Sequence, residues 1–243
     1  MTIPVFRGAS LDRAADHRIY TPPGILEAPP LPDWIDMFSV ETARRYQPLK
    51  NGSTITATFC NVFAADVSGG LLPRVNWQTP DDEARGEIIY PDPAHGIRGT
   101  VREMNANALA QWARNHGARH GWDVYGLDIE HYANTSPTPA PTPIALDYLI
   151  GHAHALAGNG SLVLFLAPNR DPRRSGHVVV VLPPLSLAER ARREIRGGSL
   201  HCAQAGRVNF RDGWWGLDSI SRHGPPVVLS RPWPVTTEGL VFA

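Results

Sequence analysis

Cysteine is scarce in this chain of 243 residues: only Cys60 and Cys202 occur, which excludes a disulfide framework and leaves at most one bridge. A charge excess is missing too. Lys and Arg number 23 and Asp and Glu 23, so nothing points to a nucleic-acid or anionic-membrane partner. No apolar run is long enough to span a bilayer. The N-terminus, Met-Thr-Ile-Pro-Val-Phe-Arg-Gly, has no charged segment leading into an apolar stretch. The expectation is a soluble protein made in the cytoplasm, without membrane insertion. Internal repeats are absent. Ten histidines occur, but none falls into His-Glu-x-x-His spacing and no Cys-x-x-Cys pair accompanies them. His152-Ala153-His154, with His116, His120 and His131, is the closest approach to a metal set, and His152 and His154 face different directions on a helix. No metal and no cofactor are expected.

The length suits one decorated domain or a small two-domain protein. Residues 1–50 are proline-rich, with Pro22-Pro23 and Pro29-Pro30-Leu31-Pro32, and read as an arm wrapped on the domain or a linker. Residues 51–243 read as one α+β domain with insertions near 126–143 and 185–198. A short helix is predicted over Val40–Tyr46. Apolar spacing predicts a second from Cys60 through Phe63, Ala64 and Val67, capped by Thr58 and ending at Gly69-Gly70. Thr100–His116 is predicted helical with Gly117 as its stop, and Gly86–Tyr90 as a short strand. Ser136–Pro143 alternates proline with small residues and is expected to be neither helix nor central strand. Helix is expected again over Ile144–Ala157. Leu162–Leu166 and His177–Leu182 are continuous apolar runs and read as adjacent buried strands. Leu185–Arg196 reads as a solvated charged helix, and Leu200–Ala205 and Val227–Arg231 complete the expected sheet.

Chemistry centres on Cys60 and His177. A thiol is a nucleophile only as thiolate, and a helix N-terminus or a neighbouring imidazole lowers its pKa towards neutrality. Cys60 occupies a first helical turn, while alternation puts His177, Val179 and Val181 on one sheet face. A thiol on a helix, an imidazole on a strand and a third polar group orienting that imidazole make a nucleophilic constellation. The third group is sought on the next strand, where Gln204 and Asn209 are the candidates. A carboxamide suffices, because it need only accept the imidazole N–H and fix the tautomer. The competing reading of Cys60 is an inert core thiol, since free cysteine is among the most buried residue types. Cys202, beside an apolar strand, is taken as structural. Trp77, Trp122, Trp214 and Trp215 either line a groove or pack the core.

Four segments, Phe59–Val67, Glu103–Ala108, Gly176–Val181 and Ala203–Phe210, resemble successive motifs of papain-like bacterial cell-wall hydrolases of the NlpC type and the CHAP (cysteine, histidine-dependent amidohydrolase/peptidase) group, which includes lysin-like and exported effector enzymes. The resemblance spans about 55–235. It departs in its Phe-Cys-Asn start and in the expanded stretch between His177 and Gln204. It implies an α+β papain-like fold, with N-terminal helices and the nucleophile's helix packed on a mostly antiparallel sheet. Cys60 would be the nucleophile, His177 the base, and the Gln204 strand the source of the orienting group, Gln204 itself or Asn209. Asn61 and Asn105 are candidates for oxyanion or substrate contact, with helix capping as the alternative. The implied activity is cysteine-dependent hydrolysis of peptidoglycan amides, as stem-peptide endopeptidase or N-acetylmuramoyl-L-alanine amidase. It would act in the periplasm or cell wall after delivery by a secretion system or lysis. An exported effector would bring an immunity protein or a secretion carrier as partner. The non-enzymatic alternative is a degenerate papain-like module that binds cell wall or a partner without cleaving it.

Overall fold

The structure is a computed structural model that describes residues 30–43, 46–68, 72, 90–92, 97–99, 104–127, 141–171, 174, 176–192 and 198–233. Helix and antiparallel sheet are both present, an α+β composition. The chain divides into two compact units, one comprising 1–105, 204–211 and 234–243, the other 106–203 and 212–233. Among the described residues no helix is long and apolar enough to cross a membrane.

In the first unit, α1 (Leu31–Asp36) starts at Pro30 and carries Pro32 in its first turn, where a missing N–H costs nothing. Prolines in the stretch read as an arm or linker therefore open a helix. Residues 40–42, predicted to begin a helix over Val40–Tyr46, lie in turns instead, and Tyr46 is 3-10. Strands β1 (Leu49–Asn51) and β2 (Thr54–Ala57) pair antiparallel, and Gly52 takes φ +60° at their turn, a conformation that suits glycine. Helix α2 (Cys60–Val67) follows. Trp34, Phe38 and Tyr46 gather on it: Phe63 meets Phe38 and Tyr46 edge-on at ring separations of 6.4 and 5.4 Å. Trp34 Nε1 donates to Val67 O at 2.8 Å, and Tyr46 OH donates to Asp66 Oδ2. Proline-rich sequence thus supplies aromatic cover for α2. A second antiparallel pair joins β3 (Tyr90–Asp92) to β4 (Ile97–Gly99); the rest of the expected strand 86–90 lies outside the described residues.

The second unit is built on a six-stranded sheet. Its elements are α3 (Ala106–His116), β5 (Asp123–Gly126), α4 (Pro143–Gly158), β6 (Ser161–Ala167), β7 (His177–Val181), α5 (Leu187–Arg192), β8 (Ser199–Gln204), β9 (Phe210–Gly216), α6 (Leu217–Ile220) and β10 (Val227–Pro232). The strand order is β5-β10-β6-β7-β8-β9. Both α3 and α4 pack on β6. Residues 162–167 and 178–181 are wholly buried, which is why these strands read as unbroken apolar runs rather than alternations. Each fully buried Leu, Val or Phe among them contributes roughly 1.5–3 kcal/mol of transfer free energy. Helix α4 buries Leu146, Leu149, Ile150, Ala153 and Ala157, the spacing of one helical face.

Two boundaries differ from expectation. Helix α3 begins at Ala106 with Met104 in an isolated bridge before it, and the expected cap Thr100 lies outside the described residues. Its end does fall at His116 as expected, and the chain then tightens into a 3-10 turn over Gly117–His120. The Pro-Thr run does enter a helix at its end. Thr142 is the N-cap of α4, its Oγ1 accepting from Ala145 N–H at 3.3 Å, and Pro143 is the first helical residue, a position where proline is preorganised.

Candidate functional site

Cys60 is the first residue of α2. The N-cap is Phe59 rather than the expected Thr58, and it makes no side-chain capping bond, because phenylalanine has no acceptor to offer. The positive end of the helix dipole thus falls at the thiol with no polar cap of its own residue to offset it. Cys60 is 1% exposed and Asn61 likewise 1%. Val62, Phe63, Ala64 and Val67 are buried with them, so α2 is covered nearly all round.

Gln204 and Asn209 flank one turn in the same unit, and their carboxamides do different work. Asn209 Nδ2 donates to Val40 O at 3.1 Å and Tyr46 O at 2.7 Å, while its Oδ1 accepts from Gly206 N–H at 3.0 Å. Both amide protons of Asn209 are therefore committed to backbone. Gln204 Nε2 donates to Val208 O at 2.9 Å, which fixes the plane of its carboxamide and so the direction of Oε1. Asn105 also belongs to this unit and immediately precedes α3.

His177 belongs to the second unit and opens β7, partly exposed. Its ring meets Trp215 edge-to-face at 4.8 Å. Trp215 also meets Phe165 at 6.1 Å and His223 at 5.4 Å. Trp215, 7% exposed, is thus packed beneath the histidine rather than lining an open groove. Gly176 precedes His177 where the chain is crowded: a Cβ there would lie 2.5 Å from Ala167 O and 2.8 Å from Asn107 Oδ1, distances that only glycine avoids. Burial pushes the His223 pKa below the ordinary histidine value, and the nearby Arg170 charge adds to that, against the opposing effect of bonds to Ser219 and Ile220 backbone. Cys202 lies opposite Val181 in the β7–β8 ladder, on the face that carries Val179 and His177. Burial pushes its thiol pKa far up, so this cysteine stays protonated.

Among the described residues, several other histidines pack against structural neighbours. His154 Nε2 accepts from His201 N–H at 2.9 Å. His201 faces Pro183 O and Asp212 Oδ1 through its two ring nitrogens, each at 2.7 Å, and stacks on Trp214 at 4.7 Å. His152 meets the Tyr125 ring at 4.4 Å. Among the described residues no group of three His, Cys, Asp or Glu side chains could hold a metal ion; His131 lies outside them. Trp122 is a core residue, 2% exposed, and Trp77 lies outside the described residues.

Sequence reasoning missed Asn107 and the His201–Asp212 pair. Asn107 stood in a quoted motif beside Asn105, and its place in the first turn of an amphipathic helix was the available signal. His201 and Asp212 sit on β8 and β9, and with β9 unrecognised nothing linked them. Compared with family models, curated proteins and solved structures, the chain matches none.

Proposed function

We propose that the chain is a cysteine-dependent amide hydrolase of the papain-like NlpC/CHAP type, cleaving peptidoglycan either within its stem peptides or at the N-acetylmuramoyl-L-alanine bond. The observation that carries the reading is the contrast between the two thiols. Both thiols are buried, but Cys60 begins a helix with no side-chain cap, at the positive end of the helix dipole, whereas Cys202 lies within a strand and burial pushes its pKa up. His177, at the head of a buried strand with its ring against Trp215, is the base. Gln204 is the preferred orienting group, since Asn209 Oδ1 already accepts from Gly206 N–H and its amide protons pin that carboxamide to the Val40 and Tyr46 carbonyls. Asn61 and Asn105 are retained as oxyanion or substrate contacts.

In the proposed reaction the Cys60 thiolate adds to the amide carbonyl carbon, and the first-turn backbone N–H groups stabilise the oxyanion. The C–N bond breaks as the His177 imidazolium gives its proton to the leaving amine, leaving a thioester. Water then adds to the thioester while His177 takes its proton, and the thiolate departs to leave a carboxylic acid. The net change is amide plus water to acid plus amine. The enzyme would act in the periplasm or cell wall after delivery by a secretion system or lysis, with an immunity protein or secretion carrier as partner.

The 1% exposure of Cys60 favours one rival, a degenerate module whose thiol merely packs. Purified sacculi digested with the parent and with Cys60→Ala separate the two. The hydrolase reading expects new carboxyl and amine termini by mass analysis with the parent and none with Cys60→Ala, at unchanged circular dichroism, because alanine is well accommodated in a first helical turn. Equal release by both proteins overturns it. The masses of the fragments identify the bond.

A further inference from the structure

Asn107 is a side chain that ties both sides of the β6–β7 connection to a helix. Its Oδ1 accepts from Asn169 N–H at 2.7 Å and its Nδ2 donates to Arg174 O at 2.7 Å. The same Oδ1 lies 2.8 Å from where a Cβ of Gly176 would stand. The residue before His177 is therefore seated against the Asn107 carboxamide. A second set of bonds holds the near side of the connection: Gly224 N–H donates to Pro168 O at 2.7 Å, and Arg170 donates to Ser221 O and His223 O. Asn169 Oδ1 in turn accepts from Asp171 N–H at 3.0 Å. Between Arg174 and His177, Asn107 supplies the bond from outside the connection that the described residues show.

We propose that Asn107 is a positioning residue for His177, acting as a two-handed clamp that fixes the backbone leading into the imidazole. This rests on the reading of His177 as base, and it gives the Glu103–Ala108 motif a role beside the contact retained for Asn105. A strand-end histidine has neighbours in the ladder on one side only, so the backbone before it decides where its ring can go. Loss of a small positional constraint of this kind is costly for proton transfer, where misplacement by about 1 Å lowers rates by up to about a hundredfold.

Two substitutions separate a clamp from a helix effect. Asn107→Ala removes both bonds. Asn107→Asp keeps the acceptor for Asn169 N–H, loses the donor to Arg174 O, and favours the helix because a negative charge suits a first turn. Histidine labelled with 13C and 15N gives the position and relaxation of the His177 ring by NMR, and the pH profile of Cys60 alkylation by iodoacetamide reports the thiolate. The clamp expects faster His177 ring motion and a displaced ring signal in Asn107→Ala, an intermediate response in Asn107→Asp, and alkylation at pH 7 slower by about tenfold in Asn107→Ala. An Asn107→Asp protein that matches the parent in both readouts overturns the clamp, as does an unchanged His177 signal in Asn107→Ala. If the parent's Cys60 titrates as an ordinary thiol near pH ~8.5 while the His177 signal still responds to Asn107→Ala, the clamp stands and the cysteine-hydrolase reading falls.

Discussion

At the scale of single residues, chemistry is allotted by burial and by what each polar atom faces. Cys60 and Cys202 are both buried, yet only Cys60 stands at a helix start. Alkylation of the folded protein at pH 7.5 should therefore label Cys60 and spare Cys202 until denaturant is added, as read by peptide mass analysis. Labelling in the reverse order would assign the reactive thiol to Cys202. His223 gives a pH expectation. Its folded pKa lies below the unfolded value of about 6.5, so the unfolded chain binds the proton first as pH falls. Stability from keeping this ring neutral is complete above the unfolded pKa and is lost as pH drops through it towards the folded pKa. His223→Asn should flatten the acid side of a plot of melting temperature against pH below about 6.5. An unaltered acid limb would show that His223 titrates alike in both states.

At the scale of elements, local rules explain most starts and stops. Thr142 and Pro143 begin α4 because one accepts an orphan N–H and the other needs none. Replacing Thr142 by alanine should cost about 1 kcal/mol, seen as a lower urea midpoint with unchanged slope. No loss would mean that water serves the helix end equally well. Strands β6 and β7 were legible because burial on both faces demands unbroken apolar runs. Strands β5 and β9 were not: Asp-Val-Tyr-Gly and Phe-Arg-Asp-Gly-Trp-Trp-Gly lie at the two edges of the sheet, where one side faces no neighbour and the hydrophobic signal thins. The helix expectation fails at 40–42 for a different reason: Thr42 and Ala43 N–H both turn back to Ser39 O, and Val40 O is taken by the distant Asn209 carboxamide.

At the scale of the whole molecule, distant segments are joined by single side chains. Asn209 binds backbone carbonyls 169 and 163 residues away, at Val40 and Tyr46. Asn209→Ala should leave these buried acceptors short of a donor and cost roughly 1–3 kcal/mol, lowering the melting temperature. Gln204→Ala should instead leave stability nearly intact and reduce turnover by about ten to a thousandfold with little change in KM. An exchange of these two phenotypes would make Asn209 the orienting group. The sequence by itself determined the α4 helix, the central strands, the helix that begins at Cys60 and the strand that begins at His177, because each is written in local spacing and burial. Tertiary structure alone decided that β10 lies between β5 and β6, that Pro30 opens a helix covering α2, that Asn209 staples a turn while Gln204 only bends across it, and that Asn107 grips the approach to His177. These depend on contacts between residues far apart in the chain, which no local pattern encodes.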